Sequence, residues 1–195
     1  MSLRLSGGRK LQSPPGHTAR PTPSRVRLAV MNMLTPQLRG ARWLDLCCGS
    51  GVMGCEALHH GAAAVVAIDQ DRRMAATAQA NLDLVASGLD PAPAVTVLSQ
   101  EVLRWLRVPP QGLEPFDLIY ADPPYGAGLY DGISAAVREG GWLRPSGLLL
   151  LECASPSVAS IGEGWRLQRQ KRYGGSTLLV LQPQLVQAGA AEAGL

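Results

Sequence analysis

Residues 42–69 read RWLDLCCGSGVMGCEALHHGAAAVVAID. A short apolar strand, Arg42–Leu46, runs into Gly49-Ser50-Gly51-Val52-Met53-Gly54, a G-x-G-x-x-G that opens a helix reaching His60. Ala64–Ile68 is a second strand and delivers Asp69 twenty residues after Gly49. Glycines at a strand-to-helix turn let the backbone bend tightly and approach a ligand with no side chain in the way. A carboxylate at the end of the second strand can accept hydrogen bonds from ribose hydroxyls. The pattern suits a dinucleotide and, equally, the adenosine half of S-adenosylmethionine. Asp45 tilts the choice, because a carboxylate four residues before the first glycine repels a pyrophosphate and suits a cationic methionyl group. A loop-capping role for Asp45 is the plainer alternative.

The chain on either side continues the alternation. Asp71–Ser87 has helical spacing, Gly88 stops it, and Pro91 and Pro93 mark a loop. Val95–Leu98, Phe116–Ala121 and Gly147–Cys153 are apolar strands, with helices expected at Glu101–Leu106 and Asp131–Glu139. Continuous apolar strands alternating with helices predict an α/β fold with a parallel sheet covered on both faces. Segments near Arg166–Tyr173 and Thr177–Leu181, joined by Gly174-Gly175, predict a C-terminal antiparallel hairpin. The expected organisation is a basic extension over residues 1–40, one domain over 41–182, and a frayed Ala- and Gly-rich tail over 183–195. Within the extension, Leu3-Arg4-Leu5 and Lys10-Leu11 predict a small hairpin about Gly7-Gly8. Thr22-Pro23 predicts a helix start, with the helix stopping before Pro36.

At 195 residues, 46% hydrophobic and 17% charged, the chain is neither disordered nor collagen-like. No apolar run reaches the ~18–20 residues of a membrane span, and no signal-type apolar region follows Arg4, Arg9 and Lys10. The four cysteines have neither disulfide-framework nor zinc spacing, so no metal is expected and a reducing cytoplasm is the expected address. The net charge of +3 hides an asymmetry: residues 1–42 hold eight cations and no acid, the remainder ten cations and fifteen acids. Either a polyanion is met by this end of the molecule, or the arm is simply solvated. Arg20, Arg25 and Arg27 cluster where a helix begins, a place unfavourable for cations unless an external anion joins them.

Asp122-Pro123-Pro124-Tyr125 ends the fourth strand. Ligands of open α/β sheets bind outside the carboxyl ends of the strands, which sets this tetrad beside the glycine loop. Its prolines stiffen the backbone and remove two donors. The Asp122 carboxylate and the Pro123 carbonyl can then accept both hydrogens of an exocyclic amine, while Tyr125 offers a face for a base to stack on.

Asp122-Pro123-Pro124-Tyr125 resembles the (Asp/Asn)-Pro-Pro-(Tyr/Phe) signature of amino-group N-methyltransferases, and Leu44-Asp45-Leu46-Cys47-Cys48-Gly49-Ser50-Gly51 resembles their first motif. Gly7-Gly8-Arg9-Lys10-Leu11, Arg20-Pro21-Thr22 and Arg25-Val26-Arg27 resemble one branch, the RsmD family, as do Gly140-Gly141-Trp142-Leu143 and Tyr173-Gly174-Gly175-Ser176-Thr177. The resemblance covers nearly all of residues 3–182. It implies a Rossmann-like class I methyltransferase sheet, S-adenosylmethionine as cofactor, and methyl transfer to N2 of a guanine of 16S ribosomal RNA, guanine 966 in the family. The implied cofactor-binding residues are Asp45, Leu46, Gly49, Ser50, Gly51, Asp69, Gln70, Glu101 and Val102. Asp122, Pro123, Pro124 and Tyr125 are the implied catalytic residues, and Arg4, Arg9, Lys10, Arg20, Arg25 and Arg27 the expected RNA-binding ones. The partner is then 16S ribosomal RNA within a small-subunit particle, with no membrane contact, and the protein is expected to be a monomer. Two departures stand out: Cys47-Cys48, where such enzymes often carry an aromatic or small residue, and Glu101, where an Asp-Ala pair is common. A nicotinamide oxidoreductase would share the glycine loop but explain neither Asp45 nor the tetrad. Methylation of a DNA adenine or cytosine or of another ribosomal RNA base, or a non-catalytic RNA-binding assembly role, also remains open.

Overall fold

The computed structural model describes residues 3–13, 24–108, 112 and 114–184. In chain order the elements are α1 (Ser24–Leu38), β1 (Arg42–Leu46), α2 (Val52–His59), β2 (Ala64–Asp69), α3 (Arg72–Ala86), β3 (Ala94–Ser99) and α4 (Val102–Leu106). They continue with β4 (Phe116–Ala121), α5 (Leu129–Glu139), β5 (Leu143–Ala154), β6 (Trp165–Tyr173) and β7 (Ser176–Pro183). The seven strands form one sheet in the order β3-β2-β1-β4-β5-β7-β6. The first five run parallel, and β7 lies antiparallel to both β5 and β6. After β1 the chain builds outward through β2 and β3, then returns to the other side of β1 for β4. The switch point therefore falls between β1 and β4, at whose carboxyl ends the glycine loop and the Asp-Pro-Pro-Tyr tetrad begin.

Two apolar layers sandwich the sheet, and alternation along each strand assigns residues to them. Trp43, Val65, Tyr120, Leu150, Leu178 and Val180 pack on the side of α1, α2 and α3. Leu44, Ile68, Ile119, Leu151 and Leu179 pack with Val102 and Leu106 of α4 and Ile133 and Val137 of α5. The N-terminal segment forms the expected small hairpin, with Leu5 and Leu11 donating N–H bonds to Arg9 and Leu3 and a bridge between Arg4 and Lys10. Its Leu3, Leu5 and Leu11 are buried in the same layer as Val26, Val30 and Leu34 of α1, so the basic extension shares the main core.

One sequence expectation is corrected here: α1 does not stop before Pro36 but ends at Leu38. Leu34 and Leu38, one turn apart, are both buried, and their burial outweighs the one backbone bond that Pro36 cannot donate. β5 is also longer than Gly147–Cys153, because Leu143 already pairs with Phe116 ahead of a register shift. The proposed helix start at Thr22-Pro23, the site residue Arg20, and the tail beyond Gln184 lie outside the described residues. Among the described residues no helix is long and apolar enough to cross a membrane.

Candidate active site

Between β1 and α2 the backbone turns through three left-handed residues, Cys47 (φ 59°), Gly49 (φ 54°) and Gly51 (φ 72°). Gly51 has a second reason to be glycine, since a Cβ there would stand 2.9 Å from the Ala78 Cβ of α3. Gly54 carries the same constraint on the sheet side, where a Cβ would meet Val65 Cγ1 at 2.9 Å. Asp45 anchors this loop: its Oδ2 accepts the Gly54 N–H at 3.0 Å. Burial pushes the Asp45 carboxyl up to about 8 against the lowering effect of that hydrogen bond, and the nearby charges of Asp122 and Asp69 add to the rise. Asp69, at the tip of β2, accepts from Gly49 N–H through Oδ2 (2.8 Å) and from Asp71 N–H through Oδ1 (2.9 Å). Burial raises its carboxyl, and the two backbone donors oppose that rise.

The tetrad leaves β4 beside this loop. Asp122 N–H reaches the Leu46 carbonyl at 3.4 Å, Pro123 is buried, and Ala127 N–H closes a turn onto the Pro124 carbonyl at 3.1 Å. Tyr125 is 49% exposed, and its hydroxyl lies 3.1 Å from Ser176 Oγ on β7. The two loops enclose a cavity of about 490 Å³.

Gly49, Ser50, Asp69, Gln70, Glu101 and Val102 line this cavity together with Asp122, Pro123, Pro124, Tyr125 and Arg25. Asp45, Leu46 and Gly51 stand one layer behind, where they shape the loop. Glu101 also caps α4: Oε1 accepts the Leu103 N–H (2.9 Å) and Oε2 the Arg104 N–H (2.7 Å).

The basic arm divides. Arg25 is exposed at the cavity rim. Arg27, expected to contact RNA, is a correction: it is 6% exposed, its Nε lies 3.5 Å from Glu56 Oε1, and its Nη2 donates to the Arg4 carbonyl. A buried carboxylate needs a cation, and Glu56, inside the first turns of α2, takes this one. Arg4 donates to Gly8 within the hairpin, and Arg9 donates to the Leu84 carbonyl in the last turn of α3. The hairpin's Gly7 packs on His59 at the end of α2. Both helix ends lie at the amino ends of the strands, so Arg4, Arg9 and Lys10 sit at the opposite end of the sheet from the cavity.

Among the cavity residues to which the sequence reading gave no site role are Glu152, Tyr173 and Ser176, the last two inside the family-like segment 173–177. Glu152 of β5 is buried and accepts the Tyr120 hydroxyl. In the parallel register Tyr120 pairs with Leu150 and Ala121 with Leu151, which brings Asp122 level with Glu152. A single acid inside the apolar run Gly147–Cys153 was the available signal. Tyr173 and Ser176, on the C-terminal hairpin, complete the wall opposite the glycine loop. Asn81 of α3 ties the loop to the N-terminal segment: its Nδ2 donates to the Ser50 and Gln12 carbonyls and its Oδ1 accepts from Gln12 N–H. Nothing in the sequence marked it.

A β3-β2-β1-β4-β5-β7-β6 sheet with its cavity at the β1/β4 switch point defines the class I methyltransferases. The rRNA methyltransferase aviRa from Streptomyces viridochromogenes shares this fold at a TM-score of 0.70 and 17% identity, over 92% of each chain. The sequence model of the family described as Conserved hypothetical protein 95 matches residues 5–182, and the chain belongs to this family, the RsmD family. It is 30% identical to Ribosomal RNA small subunit methyltransferase D of Haemophilus influenzae over 167 residues, 86% of this chain and 84% of that protein. The solved structure of yhhF from Escherichia coli superposes with a TM-score of 0.77 at 29% identity, covering 94% of this chain and 99% of the other.

Proposed function

We propose that the protein transfers a methyl group from S-adenosylmethionine to the exocyclic N2 of a guanine in 16S ribosomal RNA. The observation that carries this reading is the convergence of the Asp122-Pro123-Pro124-Tyr125 tetrad and the Asp69–glycine loop on one cavity. The residues present suit the methyl donor. The loop lines the cavity with Gly49 and Ser50, Asp69 offers a carboxylate to ribose hydroxyls beside Gln70, and Val102 gives an apolar wall for adenine. When bound, the donor supplies an electrophilic methyl on a sulfonium.

The acceptor amine is a poor nucleophile because its lone pair is delocalised into the ring. Hydrogen bonds from the amine to Asp122 and to the Pro123 carbonyl would hold the nitrogen in line and stabilise the positive charge developing on it. Asp122 is then placed to take the proton released. The exposed face of Tyr125 receives a base splayed from an RNA loop, where extrusion costs little. Arg25, at the rim, meets the adjoining phosphate. The ribosomal substrate rests on what the RsmD relatives are named for, and the guanine on the family resemblance.

The test is transfer of labelled methyl from S-adenosylmethionine to undermodified small ribosomal subunits, followed by nucleoside analysis. Label is expected in N2-methylguanosine, and Asp122→Ala is expected to abolish it with S-adenosylhomocysteine binding intact. Full transfer by Asp122→Ala would remove the residue from the mechanism, and label in another base would overturn the guanine assignment.

A further inference from the structure

The outer strand β6 is exposed from Arg166 to Arg172 and carries Arg166, Arg169, Lys171 and Arg172, with no acid between Gly164 and Gln184. Among the described residues none of the four forms an ion pair. Their faces follow from the pairing with β7. Lys171 pairs with Leu178 and Arg169 with Val180, residues of the core layer that holds α1. Tyr173, two residues on from Lys171, packs against the same layer. A bulge between Leu167 and Arg169 shifts the alternation by one residue, which brings Arg166, opposite Gln182, onto this face as well. Without the bulge, Arg166 would point to the α5 side, as Arg172 does opposite Thr177.

This row climbs to the cavity. Tyr173 lines the cavity wall, and the Arg25 guanidinium of α1 rests against the Gly174 turn that ends β6. Successive members two residues apart stand roughly 7 Å from one another along the strand, a spacing suited to successive phosphates of an extended strand. Edge strands are commonly guarded by charge against pairing with other chains. Guarding also uses lysines and bulges; what guarding does not require is that Arg169 and Lys171 share the face of Tyr173 and lead to Arg25 at the cavity rim, with the bulge adding Arg166 to that face.

We infer that Arg166, Arg169 and Lys171 of β6, continued by Arg25, form a phosphate track that feeds a single strand of RNA into the cavity; this rests on the reading of the substrate as RNA. It places the RNA path along the C-terminal hairpin and past Arg25 at the start of α1.

The test measures binding of a fluorescein-labelled single-stranded RNA oligomer of mixed sequence by anisotropy, across a salt titration. Arg169→Gln/Lys171→Gln is compared with Arg172→Gln and wild type. Both changes are at exposed positions, and an unaltered thermal shift with S-adenosylhomocysteine confirms an intact fold and cavity. The double variant is expected to bind about 20-fold more weakly at 0.1 M salt, with the slope of log K against log salt reduced by about 1.4 for two lost single-strand phosphate contacts. Arg172→Gln is expected to stay close to wild type. An unchanged slope in the double variant, an equal loss in Arg172→Gln, or a wild type that binds no RNA would each overturn the track. Methyl transfer is read separately: track-dependent binding with no transfer to any RNA overturns the enzymatic reading and leaves the track standing.

Discussion

Asp45 shows how one residue can serve a site without lining it. Its carboxylate holds the Gly54 N–H from beneath the loop, in surroundings that push its pKa from 3.8 to about 8. A group with a raised folded-state value contributes stability that is fully present below its ordinary range and is lost as pH rises through the folded value. The unliganded protein is therefore expected to lose stability between about pH 4 and pH 8 on account of this group, by up to about 1.4 kcal/mol per pH unit. Asp45→Asn keeps an acceptor for Gly54 and removes the titration. Urea midpoints are expected to favour the variant over wild type more at pH 8 than at pH 5. A difference between the two proteins that stays constant with pH would refute the buried titration. Asp45 was legible in the sequence by its position before the first glycine; that its charge state depends on burial was not.

At the scale of elements, α4 is five residues long, too short to persist without tertiary support, and Glu101 supplies part of that support by taking two of its orphan N–H groups. The same side chain lines the cavity, so cap and ligand wall are one residue. Glu101→Ala is expected to cost about 1 kcal/mol of stability, the usual worth of an N-cap, and to weaken S-adenosylhomocysteine binding. Glu101→Asp, which keeps a capping carboxylate, is expected to hold both. Chemical denaturation with a cofactor titration checks this; an alanine variant with unaltered stability would show that packing of Val102 and Leu106 alone holds the helix. The existence of α4 was legible in the sequence, as were β1, β2 and β4 from their apolar runs and the C-terminal hairpin from Gly174-Gly175. The end of α1 was not, because Pro36 is a local stop signal and the burial of Leu38 is a contact with distant residues.

The molecule as a whole is tied together by a buried charge that joins three segments. Glu56 of α2 receives the Ser6 N–H (2.9 Å) and hydroxyl (2.7 Å) from the N-terminal hairpin and faces Arg27 of α1. Removing one partner of such a pair leaves an uncompensated charge, so Arg27→Met is expected to destabilise the fold by about 3–5 kcal/mol. Arg27→Met/Glu56→Gln is expected to recover part of that loss. Urea denaturation, with hydrogen exchange at Leu5 and Leu11, reads both effects; a double variant no more stable than the single one would show that the hairpin bonds of Glu56, not its charge, decide the matter. From sequence Arg27 counted with the other cations of the arm, since a run of arginines carries no mark of which one meets a carboxylate thirty residues away.

What the chain determined by itself was local. A G-x-G-x-x-G follows a strand because left-handed turns and close helix packing need glycine, and two prolines after Asp122 fix a backbone that cannot donate. Apolar runs alternating with helices require a covered parallel sheet. Only the tertiary structure decided what depends on contacts between distant segments: that Arg27 is interior and Arg25 at the rim, that Glu152 stands level with Asp122, and that a bulge in β6 puts Arg166 on the face of Arg169 and Lys171. Charge and hydrogen-bonding capacity are properties of residues, but burial, register and facing are properties of the whole chain packed on itself.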